Sequence, residues 1–198
     1  MDFREYYDKY IKLYPDKRYY HSGKWHINNM LIDLSTFWSD FEDEFEFDEK
    51  TEDCLFKIAQ LTILFHDIVY RVGAKDNEEK SAEFARNVLS KYKYADEVCD
   101  LILSTKIDNK VFDTPLKKII HDLDWKGFMF YDDLCINEEK LKAEALRDGF
   151  TEEKFYEGQL AFYKKIVKKN LYTTSTFHVF NVKAKRNIQK RINELENR

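Results

Sequence analysis

The stretch Glu52-Asp53-Cys54-Leu55-Phe56-Lys57-Ile58-Ala59-Gln60-Leu61-Thr62-Ile63-Leu64-Phe65-His66-Asp67-Ile68-Val69-Tyr70 decides the fold. Its apolar residues Leu55, Ile58, Ala59, Leu61, Ile63, Leu64, Phe65, Ile68 and Val69 recur near the helical period and cover almost every side. A helix apolar all round belongs inside a bundle, so a central helix is predicted over 52–70. Within it stands one polar pair, His66-Asp67. Such a pair in an apolar run needs hydrogen bonds or a bound ion to offset a desolvation cost of several kcal/mol. A core histidine bonded to a backbone carbonyl and a metal ligand pair both meet that need. The dipeptide alone does not decide, since it recurs at His121-Asp122.

Outward from this helix the period stays near 3.6. Helical segments are predicted over 3–14, from Ser22-Gly23 through Trp38, and, after a break at Gly73-Ala74-Lys75-Asp76, from an Asp76 N-cap with Glu79 as its capping-box partner. Further helices are predicted over 95–105, 115–131, 137–147, 151–169 and 177–196, with Thr114 capping and Pro115 in the first helical position. The acidic stretch Asp40 to Asp48 reads as a solvated helix end or loop. Five Gly and two Pro in 198 residues are too few for the turns of a sandwich or barrel. With no linker or repeat, residues 1–198 read as one all-α domain. A net charge of −4 argues against a broad nucleic-acid surface. The sequence holds no apolar run of membrane-spanning length, and its opening Met1-Asp2-Phe3-Arg4-Glu5 reads as no secretory signal. Three scattered cysteines, Cys54, Cys99 and Cys135, point to a reducing compartment, and a cytoplasmic protein is expected.

The chain holds no His-Glu-x-x-His, P-loop, dinucleotide fingerprint or nucleophile elbow. What remains is a histidine on the second helix (His21 or His26), His66-Asp67 on the third, and Asp122-Leu123-Asp124 further on. Two imidazoles and two carboxylates from separate helices suit Mn²⁺, Mg²⁺, Fe²⁺, Ni²⁺ or Zn²⁺. Helical phase favours Asp124 over Asp122. Asp124 shares a stripe with Ile120 and Phe128, whereas Asp122 lies with Lys118 and Lys126 and is expected to face outward.

The order His26 … His66-Asp67 … Asp124 resembles the HD superfamily of metal-dependent phosphohydrolases, in particular its small predicted-phosphohydrolase branch. Tyr14-Pro15-Asp16-Lys17-Arg18-Tyr19-Tyr20-His21, Phe65-His66-Asp67-Ile68-Val69-Tyr70 and Asp76-Asn77-Glu78-Glu79-Lys80-Ser81-Ala82 carry the resemblance. It implies a divalent ion held by His26, His66, Asp67 and Asp124, and hydrolysis of a nucleotide or other small phosphomonoester or phosphodiester by a metal-activated water. Arg18 or Lys24 would offset phosphate charge, and Lys106 is a weaker candidate. His21 or Glu78 would protonate the leaving oxygen. The rival reading is a non-catalytic helical binding or scaffold protein with a structural metal. His21 and Glu78 beside the ligand set favour the enzyme, because a structural site has no use for extra acid/base groups. The family usually separates its two N-terminal histidines by three residues, whereas here Ser22, Gly23, Lys24 and Trp25 make four. Residues five apart on a helix point about 140° apart. His21 is therefore expected on the entry loop, with Ser22 capping a helix that starts at Gly23.

Overall fold

The computed structural model describes residues 2–15, 18–108 and 111–198; Asp16 and Lys17 of the entry motif lie outside them. Ten α-helices and no strand are found among the described residues. They are α1 (Phe3–Tyr10), α2 (Asn28–Phe45), α3 (Glu52–Phe65), α4 (Asn77–Val88), α5 (Ala95–Ser104), α6 (Pro115–Asp124), α7 (Tyr131–Arg147), α8 (Glu152–Ile166), α9 (Ser175–His178) and α10 (Asn181–Glu196). The protein is an all-α bundle. No helix among them is long and apolar enough to cross a membrane.

The apolar period puts α3 where it was expected. Ile58, Ala59, Leu61, Ile63, Leu64 and Phe65 are buried, and α1, α2, α4, α5 and α6 all pack on this helix. On α2, Met30, Leu34, Trp38 and Phe41 form the inward stripe. The buried apolar side chains make one cluster drawn from all ten helices. Burial of this kind stabilises by about 1.5–3 kcal/mol for each large side chain. Among α7, α8 and α10 the contact is also ionic. Glu138, buried on α7, takes the Arg191 guanidinium of α10 and accepts a 2.8 Å hydrogen bond from the Tyr163 hydroxyl of α8.

Several boundaries differ from the sequence reading, each for a local reason. The central helix stops at Phe65, with His66 as its C-cap, and does not run to Tyr70. Beyond it, Arg18 donates to the carbonyls of Asp67 (3.0 Å) and Tyr70 (3.1 Å). Ser81 exchanges hydrogen bonds with both backbone groups of Val69, and Asn77 does the same for Arg71. Side chains from elsewhere thus satisfy the backbone groups that a helix would have paired internally. The predicted 115–131 helix breaks after Asp124 into a 3₁₀ turn (Lys126–Phe128), and α7 begins at Tyr131, ahead of the expected 137. The last segment divides into α9 and α10. Asp76 precedes α4 as expected but forms no capping hydrogen bond; it pairs with Lys80, while Glu79 pairs with Lys106. Thr114 caps α6 through the Lys117 N–H, with Pro115 at the first position.

Candidate metal centre

Three helix ends meet at one point. Before α2 the chain makes a π turn, Gly23–Ile27, entered through Ser22, whose hydroxyl accepts the Trp25 N–H at 3.2 Å. The turn carries His26 inward, where it is buried. His66 caps the C-terminus of α3, Asp67 follows it, and Asp124 is the last residue of α6. The C-terminal carbonyls of α3 and α6 add partial negative charge on the same side, which favours a cation.

The donor atoms converge. His26 Nε2 lies 3.1 Å from His66 Nε2, 3.5 Å from Asp67 Oδ2 and 3.0 Å from Asp124 Oδ1. His66 Nε2 lies 3.1 Å from Asp67 Oδ2 and 4.0 Å from Asp124 Oδ1. Ligands about 2.1 Å from one ion sit roughly 3.0–3.4 Å apart when adjacent and about 4.2 Å apart when opposite. His26, His66 and Asp67 offer atoms all within 4.8 Å of one another, and Asp124 joins through the two imidazoles. His66 Nδ1 donates to the Ile63 carbonyl at 2.9 Å, so its tautomer leaves the Nε2 lone pair facing the cluster. Two imidazole nitrogens turned toward each other between two carboxylates favour a positive charge among them. A divalent ion would supply that charge, and in its absence a proton on one of the facing nitrogens lets the two rings hydrogen-bond.

The titration of the cluster carries the same message. Burial alone would lower the His66 imidazole, but the Asp67 carboxylate outweighs it and raises the group to about 9. Burial would raise the Asp67 carboxyl, yet His66 holds it well below the usual range. Asp124 is lowered likewise, His26 overcoming the effect of burial.

His21 lies on the entry loop, just before Ser22. It is buried, and its Nδ1 meets Glu144 Oε2 of α7 at 2.7 Å. Glu144 Oε1 accepts the backbone N–H groups of Tyr20 and His21, both at 2.8 Å. The ring stacks on Tyr70 with centroids 3.5 Å apart. Glu78, in the first turn of α4, is half-buried, and burial together with the Asp67 charge raises its carboxyl. Arg18 spends its guanidinium on the backbone after Asp67, where it positions the ligand turn. Lys24 is exposed and borders a different hollow, shared with Tyr14 and Pro15, from the cleft that His26 and Asp124 line. Lys106 is paired with Glu79.

Asp122 corrects the reading of α6. It does point away from Asp124, but not outward: it is fully buried. Its oxygens accept the backbone N–H groups of Thr173 and Thr174 and both hydroxyls, at 2.7–3.0 Å. The loop before α9 covers that face of α6, a contact 51 residues away that helical phase does not reveal. Sequence reasoning also missed Glu144, Asn77 and Ser81. Asn77 and Ser81 sit four apart within the distinctive α4 string, on one helix face, which is the signal that they act together. Compared with protein-family models, curated proteins and solved structures, the chain matches none.

Proposed function

We propose that the chain is a metal-dependent phosphohydrolase, its divalent ion held by His26, His66, Asp67 and Asp124. The observation that carries this reading is the convergence of His26, His66 and Asp67 within 3.1–3.5 Å of one another, with Asp124 3.0 and 4.0 Å from the two imidazoles and lining an open cleft together with His26. The order of the ligands along the chain, with its resemblance to the HD superfamily, supports it. The longer His21–His26 spacing does not tell against the resemblance, because His21 stands on the entry loop and only His26 on the π turn. A divalent ion at such a centre lowers the pKa of a water and polarises a phosphoryl oxygen.

The chain's own residues supply the rest. His21 is held in one orientation by Glu144 and Tyr70, which suits it to give a proton to a leaving oxygen. Glu78, its carboxyl raised, is the second candidate for that proton. Arg18 keeps Asp67 in place by donating to the carbonyls of Asp67 and Tyr70. One observation favours the rival reading of a structural metal in a non-catalytic protein: Arg18 and Lys106, two cations expected to face phosphate, are bound to the protein itself.

The test is metal analysis of protein purified without added metal, followed by phosphoester assays with Mn²⁺, Mg²⁺, Fe²⁺, Ni²⁺ and Zn²⁺. Bound metal with turnover that disappears in His66→Ala supports the enzyme. Bound metal that raises the melting temperature without turnover of any ester supports the rival. No bound metal sinks both.

A further inference from the structure

A cleft of about 200 Å³ opens from His26 and Asp124 between the π turn, α2 and α7. That is less than the roughly 300–1,000 Å³ of pockets that take drug-sized molecules, and it suits one small ring or a short chain. Its charged lining is mostly acidic. Beyond Asp124 stand Asp33 and Asp133, against the single ammonium of Lys126 among the described lining residues, which is bound to Asp33. The remaining lining is amide (Asn29, Asn137), aromatic (Tyr20, Trp25) and aliphatic (Met30, Ile32, Leu123). Asn137 accepts the Trp25 indole N–H at 3.1 Å, which fixes its oxygen toward Trp25 and its NH₂ on the other side, against Gly127. A Cβ at Gly127 would overlap that nitrogen, so glycine is what lets the amide stand there. Asn29 brings a second amide, and the Trp25 ring, steadied by the Lys140 ammonium 4.2 Å from its centroid, forms an apolar wall.

We infer that this cleft receives the hydroxyl-rich part of a small phosphomonoester, a sugar or polyol bearing one phosphoryl group, and disfavours bisphosphates and nucleoside polyphosphates. The inference rests on the phosphohydrolase reading for the place of the phosphoryl group at the ion. Each hydroxyl both donates and accepts, and carboxylates next to amides answer both needs. A second phosphoryl group would lie against Asp33 and Asp133, and like charges at that range repel in a partly desolvated site. The Trp25 face complements the C–H side of a sugar ring.

The experiment is calorimetric titration of the full chain loaded with Mn²⁺, using fructose 6-phosphate, fructose 1,6-bisphosphate and inorganic phosphate. Fructose 6-phosphate is expected to bind at least tenfold more tightly than either of the others. Asn137→Ala is expected to remove its advantage over inorganic phosphate. The exposed Asp133 permits a variant that leaves the core alone: Asp133→Lys is expected to tighten the bisphosphate at least tenfold. A bisphosphate that binds wild type as well as the monophosphate, or a monophosphate no tighter than inorganic phosphate, overturns the assignment. The two readings separate in a parallel assay. If the binding order holds without turnover of any ester, the cleft assignment stands and hydrolysis falls. If an aryl phosphate is hydrolysed while fructose 6-phosphate binds no better than phosphate, hydrolysis stands and the cleft assignment falls.

Discussion

Asp122 and Asp124 lie two residues apart on α6 and serve opposite faces of it. Asp124 reaches His26 at 3.0 Å, while Asp122 accepts from four donor groups of Thr173 and Thr174. Asp124→Asn is therefore expected to weaken divalent metal binding at least tenfold, and also to cost some metal-free stability, since His26 holds the Asp124 carboxyl below its ordinary range. Asp122→Asn leaves the metal affinity within a small factor and costs roughly 1–3 kcal/mol of stability, because charge-assisted bonds to buried backbone are lost. Metal titration and urea unfolding of both variants check this, and equal metal loss from the two would show that α6 is phased differently. His66 sets the pH dependence. Its folded value of about 9 lies above the unfolded value of about 6.5. In metal-free protein its contribution to stability is then full below about pH 6.5 and is lost as pH rises through 9. The same proton competes with the ion, so metal affinity is expected to rise with pH and level off above about 9. Urea midpoints of EDTA-treated protein between pH 6 and 10, beside metal titrations over the same range, measure both. A metal-free stability flat across that range would show that His66 carries no extra proton.

At the scale of elements, the turn after α3 is where local sequence and final structure part. The apolar run continues through Ile68 and Val69, and nothing within it announces a helix end at Phe65. The termination comes from Arg18, some 50 residues earlier, and from Asn77 and Ser81 on α4. These groups hold the backbone that carries Asp67, from outside the candidate metal centre. Arg18→Lys, which keeps the charge but loses the planar fork, and Ser81→Ala, which strands both backbone groups of Val69, are each expected to reduce metal affinity about 10- to 100-fold. Circular dichroism should show the helices retained. Unchanged affinity in both variants would mean that neither Arg18 nor Ser81 governs the position of Asp67. The π turn shows the same limit at the other ligand. Ser22 and Gly23 mark a helix start legibly, but the wider turn does not follow from any propensity.

Over the whole molecule, the all-α architecture was legible because burial and helical period coincide, most clearly on α2 and α3. The residues of the candidate metal centre were legible as residue types in chain order. Their convergence was not, since it depends on how α2, α3 and α6 pack. Partners fixed only by packing also stayed hidden, such as Glu144 for His21, 123 residues apart, and the loop that covers Asp122. The central claim is that one divalent ion sits where those helix ends meet. Calorimetric titration of metal-free protein with Mn²⁺ at pH 8, wild type beside His66→Ala, tests it most directly. Saturable binding in wild type that is lost in His66→Ala, with a melting temperature that rises with Mn²⁺ in wild type alone, is the predicted result. Binding that is absent in wild type, or the same in both proteins, would contradict it.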